Sequence, residues 1–482
     1  MNIVDPILFH AKNNPGAIAV CTPGVQPESI TYGDLERLIN NITRMAVMAD
    51  LARGQVVAIF LTNKIFEVAL TLALMRLGIA TASLRSPSMP RETQVDAVIA
   101  EKPLPFDGTN RVIVADATWK QLHDRPLADS RLYQTAEQDI CRLILTSGTT
   151  GEPKAVALTN KDLIDRIPRF DYVMGSHLPH CRRLYSDLGL PSATGFRMTL
   201  YMLWKGGTIF LFGADSAAMV QAFDLFKVGG MLTAPNGLAQ YLQFYELPGA
   251  PACNFDFIIC LGAQMSAFLA NRVRAHMCPN LYSVYGATEV STIAAAPSIR
   301  LMNVEGAVGY TAPDIVVEIV NRSGAVLPNG REGFVRVKSS LNVRGYFGEL
   351  SPSDAFRDGA FYPGDIGRLS EDGLLVIRGR ESNVINLGGD KLNPEMVEQT
   401  LMGSGQVAEA GVFSVPNALG VQELWAAVVA AQPLQWTALQ NACAQKLGKH
   451  AVPSHFIQVA ALPKTAAGKL DRAALSMLAK RG

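Results

Sequence analysis

The sequence predicts an α/β fold: a large N-terminal domain of α/β subdomains plus a β-rich subdomain, with a small C-terminal α+β domain on a hinge. Three observations carry this expectation. Short apolar runs of strand type alternate with helix-type runs as far as His276, valine-rich runs broken by Gly, Asn and Asp turns take over from Gly306, and mixed periodicities return after Arg380. At 482 residues, 49% of them apolar, the chain exceeds one typical core. The expected division is 1–379 for the large domain, 380–383 for the hinge and 384–482 for the small mobile domain.

The elements follow in order. Thr31-x-x-Asp34 reads as a helix start, with Leu35, Leu38, Ile39 and Ile42 at helical spacing behind it. Val56 to Leu61 reads as a strand and Ile65 to Leu77 as a helix closed by Gly78. Ile140 to Thr146 and Ala155 to Leu158 read as strands flanking a polar loop. Thr208 to Phe212 and Phe257 to Leu261 read as buried strands, and Ser266 to His276 as a helix. Ser323-Gly324, Pro328-Asn329-Gly330, Asp358-Gly359 and Asp372-Gly373 mark turns of the β-rich part. The small domain reads as helix (Pro394 to Leu401), two strands (Ala410 to Ser414, Trp425 to Ala430), helix (Leu434 to Leu447) and strand (Phe456 to Val459).

A net charge of +1 with well-mixed signs gives no electrostatic reason to expect nucleic acid or an anionic membrane as partner. A small-molecule substrate is the default. The first residues lack the basic segment and apolar core of a secretory signal, and Val68 to Ile79 is too short to span a bilayer, so a cytoplasmic location is expected. The seven cysteines are scattered and include no Cys-x-x-Cys pair, which suits small buried side chains. His177-Leu-Pro-His180-Cys181 could suggest a transition metal, but Pro179 is expected to break the helical geometry that would align the imidazoles, and a polar loop is the preferred reading.

The most informative stretch is Leu145-Thr146-Ser147-Gly148-Thr149-Thr150-Gly151-Glu152-Pro153-Lys154. Its glycines permit close backbone approach, its amides and hydroxyls offer donors, and Lys154 adds a mobile positive charge, all suited to phosphate. A polar turn is the alternative. The spacing departs from the Walker pattern, and the loop lies between strands, so a helix dipole is not its main source of anion affinity.

Further stretches admit both chemical and structural readings. Ser283-Val-Tyr285-Gly286-Ala-Thr288-Glu289 supplies an aromatic face, a close-approach glycine, a hydroxyl and a carboxylate, parts that could stack a base, touch phosphate and hold Mg²⁺; alone it is also a plain turn. Tyr362-Pro-Gly-Asp365 places a carboxylate where it could bind ribose hydroxyls or simply make an Asx turn. Gly379-Arg380 and Asn386-Leu-Gly388-Gly389-Asp390-Lys391 could be a linker followed by a hairpin. Leu462 to Arg472, containing Lys464, Gly468 and Lys469, could be a solvated basic tail.

In this order the segments resemble the adenylate-forming (ANL) superfamily of acyl- and aryl-CoA synthetases, nonribosomal peptide synthetase adenylation domains and luciferases, over nearly the whole chain. The resemblance implies ATP, Mg²⁺ and coenzyme A as cofactors, a small carboxylic acid as substrate, and an acyl carrier protein as an alternative thiol partner. It implies that Thr146, Ser147, Gly148, Thr149, Thr150, Gly151 and Lys154 hold the ATP phosphates, that Tyr285 flanks adenine beside Gly286, Gly262 and Ala263, and that Asp365 and Arg380 support the ribose. Thr288 would contact phosphate, Glu289 would ligate Mg²⁺, and Lys469 would bridge the substrate carboxylate and the α-phosphate. Gly388 and Gly389 would replace Lys469 at the site after rotation of the small domain and lie along the thiol arm.

Ser382 stands where the hinge commonly has Asp or Lys, and Leu190-Pro-Ser-Ala-Thr-Gly195 lacks the usual aromatic or histidine before its glycine. Ala193 corresponds to the aspartate that anchors the amine in amino-acid-activating members, which weighs against an α-amino acid. By resemblance Ala193, Thr194, Gly195 and Ala287, with Gly262 and Ala263, form the acid pocket, a small uncharged set suited to an aryl or medium apolar acid. The implied function is acid:CoA ligation through an acyl-adenylate. A stand-alone enzyme loading a carrier protein is the nearest alternative, and a catalytically weak nucleotide-binding protein a further one.

Overall fold

The computed structural model describes residues 2–24, 27–85, 93–103, 106, 109, 111–124, 135–147, 153–169, 171, 175, 177–213, 216–250, 253–348, 353–383, 385–387, 390–416, 422–465 and 468–478. Helix Tyr32–Met48 begins where its sequence predicts: Thr31 is extended and its hydroxyl accepts the Asp34 amide at 3.1 Å, while Leu35, Leu38, Ile39 and Ile42 are buried. Helix Lys64–Arg76 is capped by Asn63 and is apolar on nearly every face. It is accordingly buried in the core shared by two sheets, with Val57 and Ile59 of one and Val20, Leu184 and Ile209 of the other in the same cluster.

The smaller of those sheets has six strands in the spatial order Val112–Val114, Ala97–Ala100, Val56–Phe60, Ala80–Ser83, Ile140–Ser147 and Pro153–Thr159. Its pairs are parallel except the last, an antiparallel hairpin. The larger sheet has fifteen strands among the described residues. Its parallel part runs Leu281–Ala287, Phe257–Leu261, Gly230–Thr233, Arg183–Ser186, Thr208–Leu211 and Ile18–Thr22. The valine-rich strands keep a core of their own around Val317, Val335, Val337 and Leu375, and they also extend this sheet through Ser291–Pro297, Ala307–Thr311 and Leu374–Arg380. The predicted turns fall between strands, with Gly324, Gly330, Gly359 and Gly373 all at positive φ.

In the small C-terminal domain Val407–Pro416 pairs antiparallel with Gln422–Ala430, which pairs parallel with His455–Gln458. Helices Pro394–Met402 and Trp436–Leu447 bury Val397, Leu401, Leu439 and Cys443 against that sheet. The stretch after Arg380 contains the hairpin Ile385–Leu387 and Asp390–Leu392. Sequence reasoning missed the last helix, Arg472–Leu478, whose Leu475 is fully buried beside Phe413 and Leu462.

One expectation is corrected. His177–His180 forms a single helical turn despite Pro179, because a proline in a first helical turn displaces no intrahelical amide bond. His177 packs its ring on Phe257 and Tyr282, with centroids 6.1 and 6.0 Å away. Six of the seven cysteines are buried and Cys253 is partly so. No helix among the described residues is long and apolar enough to cross a membrane.

Candidate active site

The strands that flank the polar stretch, Ile140–Ser147 and Pro153–Thr159, pair antiparallel. Thr146 stands opposite Lys154 and Ser147 opposite Pro153, with Ile144, Val156 and Leu158 buried beneath. Gly148, Thr149, Thr150 and Gly151, and the side chain of Ser147, lie outside the described residues. Lys154 projects its ammonium over the Tyr346 ring, 4.4 Å from the centroid, and donates to Ser353 Oγ at 3.4 Å.

The Leu281–Ala287 strand carries a bulge between Tyr285 and Gly286. A Cβ at Gly286 would come within 2.4 Å of the Ser291 carbonyl oxygen, so this turn requires glycine. Beyond it, buried Arg166 donates to the Thr288 carbonyl at 2.9 Å, to the Glu289 carbonyl at 3.1 Å and to the Leu341 carbonyl. Desolvation pulls the Arg166 pKa down to about 10 against the attraction of Asp162 and Glu289. Glu289, itself 7% exposed, accepts the Tyr346 hydroxyl on Oε1 at 2.9 Å. Arg166 and Tyr346 fix the backbone and the carboxylate of one short segment; neither is apparent in its local sequence.

Asp365 opens the Asp365–Leu369 strand directly opposite Arg380 on Leu374–Arg380. Arg380 Nε donates to Oδ1 at 3.0 Å and the Tyr285 hydroxyl donates to Oδ2. Burial, and then the neighbouring Asp365 charge, push the Tyr285 pKa well up, so its proton stays on the phenol.

Lys469 reaches this region from the small domain. Thr465 N–H donates to the Lys469 carbonyl at 2.7 Å, and Asn236 Nδ2 of the large domain donates to the Gly468 carbonyl at 2.6 Å. Asn236 also accepts Lys464 Nζ at 2.9 Å. Behind the loop, Arg472 binds Glu398 at 2.7 Å, Glu395 at 2.9 Å and the Val412 carbonyl at 2.9 Å. Desolvation, and then repulsion from Arg380, lower the Lys469 pKa, with Asp365 and Glu289 opposing.

A cavity of about 910 Å³ opens where these parts meet, off the carboxyl ends of the Phe257–Leu261, Leu281–Ala287, Gly230–Thr233 and Ile140–Ser147 strands, the usual ligand position in open α/β sheets. Thr146, Lys154, Ala193, Thr194, Gly262, Ala263, Gly286, Ala287, Thr288, Glu289, Arg380 and Lys469 line it. Tyr285 and Asp365 stand behind that lining. Gly195 also lies behind it, where a Cβ would be 2.2 Å from the Gly189 carbonyl oxygen. Gly388 and Gly389 lie outside the described residues. The basic-tail alternative for Lys469 does not hold, since bonds from both domains seat its loop at the cavity.

The cavity wall that carries Ala193, Thr194 and Ala287 is not the uncharged set expected. Arg197, one turn along the buried helix Ala193–Trp204, also lines the cavity, donating from Nε to the Ala193 carbonyl at 3.3 Å and from Nη1 to Ser291 Oγ. The signal was available: Phe196-Arg197-Met198-Thr199-Leu200 sets a charge in an otherwise apolar run.

Residues 9–347 match the model of the AMP-binding enzyme family, and residues 396–469 that of the AMP-binding enzyme C-terminal domain. The chain belongs to the AMP-binding enzymes. It is therefore an adenylate-forming enzyme of the ANL superfamily. Among curated AMP-binding enzymes it is 24% identical to 4-chlorobenzoate–CoA ligase of Arthrobacter sp over 97% of this chain and 94% of that protein. It is 24% identical to tyrocidine synthase 1 of Brevibacillus parabrevis over 92% of this chain, but spans only 42% of that protein's length. The amide bond synthetase McbA of Marinactinospora thermotolerans superposes with a TM-score of 0.81 over 99% of both chains at 24% identity, a likeness of fold.

Proposed function

We propose that this AMP-binding enzyme activates a carboxylic acid with ATP and transfers the acyl group to the thiol of coenzyme A. Its support is the single cavity onto which Lys154, Thr288, Glu289, Arg380 and Lys469 converge from separate parts of the chain. In the first step the acid carboxylate attacks the α-phosphorus, the bond to the bridging oxygen breaks, and pyrophosphate leaves. Thr146, Lys154 and the polar stretch between them hold the β- and γ-phosphates, and Thr288 contacts phosphate from a backbone that Arg166 fixes. Arg380 supports the ribose together with Asp365, whose carboxylate the Tyr285 hydroxyl holds. Lys469 neutralises charge shared between the attacking carboxylate and the α-phosphate, the pre-organised electrostatic stabilisation that phosphoryl-type transfer depends on.

The Glu289 carboxylate, fixed through Oε1, is a hard oxygen donor of the kind that holds Mg²⁺ together with substrate phosphates. Bound there, Mg²⁺ would neutralise triphosphate charge.

For the second step the small domain turns about residues 380–383, withdrawing Lys469 and bringing Gly388 and Gly389 to the thiol path. Boundaries at 379 and 384 fit this, since Asn383 bonds Glu395 of the small domain at 2.6 Å while the Glu381 amide bonds the Gly364 carbonyl at 2.9 Å. The acceptor is tested by adding coenzyme A to enzyme preloaded with acyl-adenylate and following acyl-CoA by mass spectrometry. Acyl-CoA with release of AMP is expected. Transfer only to a carrier-protein phosphopantetheine, or only to an amine, would replace this acceptor.

A further inference from the structure

Two charged groups that the adenylation reading assigns to MgATP meet on one side chain. Lys154 lays its ammonium 4.4 Å from the centroid of the Tyr346 ring, and the hydroxyl of the same ring donates to Glu289 Oε1 at 2.9 Å. Tyr346 lines the cavity with both of them. It belongs to neither of their motifs: Lys154 ends the polar stretch, Glu289 lies just past Leu281–Ala287, and Tyr346 lies in the connection that follows strand Gly333–Ser339.

That connection is laced to both neighbours. The Val343 amide donates to the Glu289 carbonyl at 2.9 Å, and the Phe347 amide donates to the carbonyl of Ala155, next to Lys154, at 2.7 Å. The Leu341 carbonyl accepts Arg166, which also holds the Thr288 and Glu289 carbonyls. Phe356 packs edge-on against the Tyr346 ring with centroids 5.2 Å apart, and Phe361 backs Phe356. Main-chain bonds on either side and an aromatic contact thus fix where the Tyr346 ring stands.

Both charged groups meet an uncharged partner there. A phenol bonded to one carboxylate oxygen orients the carboxylate and keeps its full negative charge for a cation, as hydrogen-bonding groups behind metal ligands do. An aromatic face attracts an ammonium through its quadrupole and leaves the positive charge for phosphate. Direct pairing of Lys154 with Glu289 would instead cancel the two charges that the nucleotide and its metal use.

We propose that Tyr346 is a positioning residue for MgATP, its hydroxyl orienting the Glu289 carboxylate toward Mg²⁺ and its ring orienting Lys154 toward the pyrophosphate that leaves. This rests on the adenylation reading above and adds to it a residue from outside the motifs that carry the nucleotide. Tyr346 makes and breaks no covalent bond.

The test is calorimetric binding of α,β-methylene-ATP, with no acid present, at zero and at saturating Mg²⁺. Tyr346→Phe keeps the ring and loses the hydroxyl. The factor by which Mg²⁺ tightens binding should shrink about tenfold, the lower end of what loss of a group behind a metal ligand costs, with metal-free binding within about twofold of the unsubstituted enzyme. Tyr346→Leu should shrink that factor equally and also weaken binding of metal-free pyrophosphate about two- to fivefold, the scale of one cation–π contact near solvent. In a Glu289→Gln background, Tyr346→Phe should leave the Mg²⁺ factor where Glu289→Gln alone puts it. An unshifted factor in Tyr346→Phe, or a shift that persists with Glu289→Gln, overturns the role of the hydroxyl. Pyrophosphate bound as tightly by Tyr346→Leu as by Tyr346→Phe overturns the role of the ring. Tyr346→Phe, which lacks a single oxygen atom, carries the test should Tyr346→Leu fail to fold. Acid-dependent pyrophosphate exchange without these binding effects would remove this proposal and leave adenylation standing, whereas an unsubstituted enzyme that binds no nucleotide would overturn both.

Discussion

Lys469 is the residue whose chemistry is most exposed to test. Its lowered pKa, set by desolvation and Arg380, means that the ammonium loses its proton below the ordinary lysine range. The protonated form is the one that binds anionic oxygens, so adenylation should fall as pH rises through that lowered value, and Lys469→Arg should move the alkaline limb upward because a guanidinium stays charged. Lys469→Ala should slow single-turnover adenylation by on the order of 100- to 1,000-fold. An unchanged single-turnover rate would contradict its role. Asp187, which is not itself part of the cavity lining, offers a stability test: desolvation raises its carboxyl pKa to about 6, against the Thr233 hydroxyl that donates to Oδ2 at 2.5 Å. The folded state therefore favours the neutral acid, and the stability contributed is complete below an unfolded pKa of about 3.9 and lost as pH rises through about 6. Asp187→Asn should remove this pH dependence and raise stability at pH 7.5 by up to roughly 3 kcal/mol in denaturant unfolding; unaltered dependence would contradict it.

Among the elements, the Asn236 junction carries the sharpest expectation. It lies at the start of helix Pro235–Tyr245 and bonds the Gly468 carbonyl and Lys464, so it seats the Lys469 loop from the large domain. Asn236→Ala should slow adenylation about tenfold, by the loss of its two bonds to the Lys469 loop, and leave thioester formation from added acyl-adenylate unaltered. Equal losses in both half-reactions would assign Asn236 to folding instead. Such junctions were not legible in the sequence, because Asn236 and Gly468 are brought together only by the packing of the two domains. Local elements were legible for the opposite reason. Thr31, Asn63 and Ser266 cap helices through side chains three residues from their partners, and period and turn chemistry set Phe257–Leu261 and the glycine turns. Arg166 and Arg197 escaped because their contacts depend on carbonyls and a hydroxyl from distant parts of the chain.

For the whole molecule, the order of motifs made the family legible, and the fold explains why order matters. Strand ends of two sheets and a loop of the small domain must share one cavity before any motif has a partner. The bonds Gln399 to Gln264 at 2.5 Å and Lys446 to Glu305 join the small domain to the large one in the arrangement that presents Lys469. Both lie outside the cavity and must break if the small domain turns. A proline at Ser382 should restrict that turn, preserving pyrophosphate exchange while abolishing thioester formation; loss of exchange alone would contradict a hinge there. The central claim, that this cavity joins a carboxylic acid to AMP, is tested most directly by isotopic exchange between pyrophosphate and ATP over a panel of acids without thiol present. Label entering ATP only when a suitable acid is supplied is the predicted result. Nucleotide binding without acid-dependent exchange for any acid would contradict it.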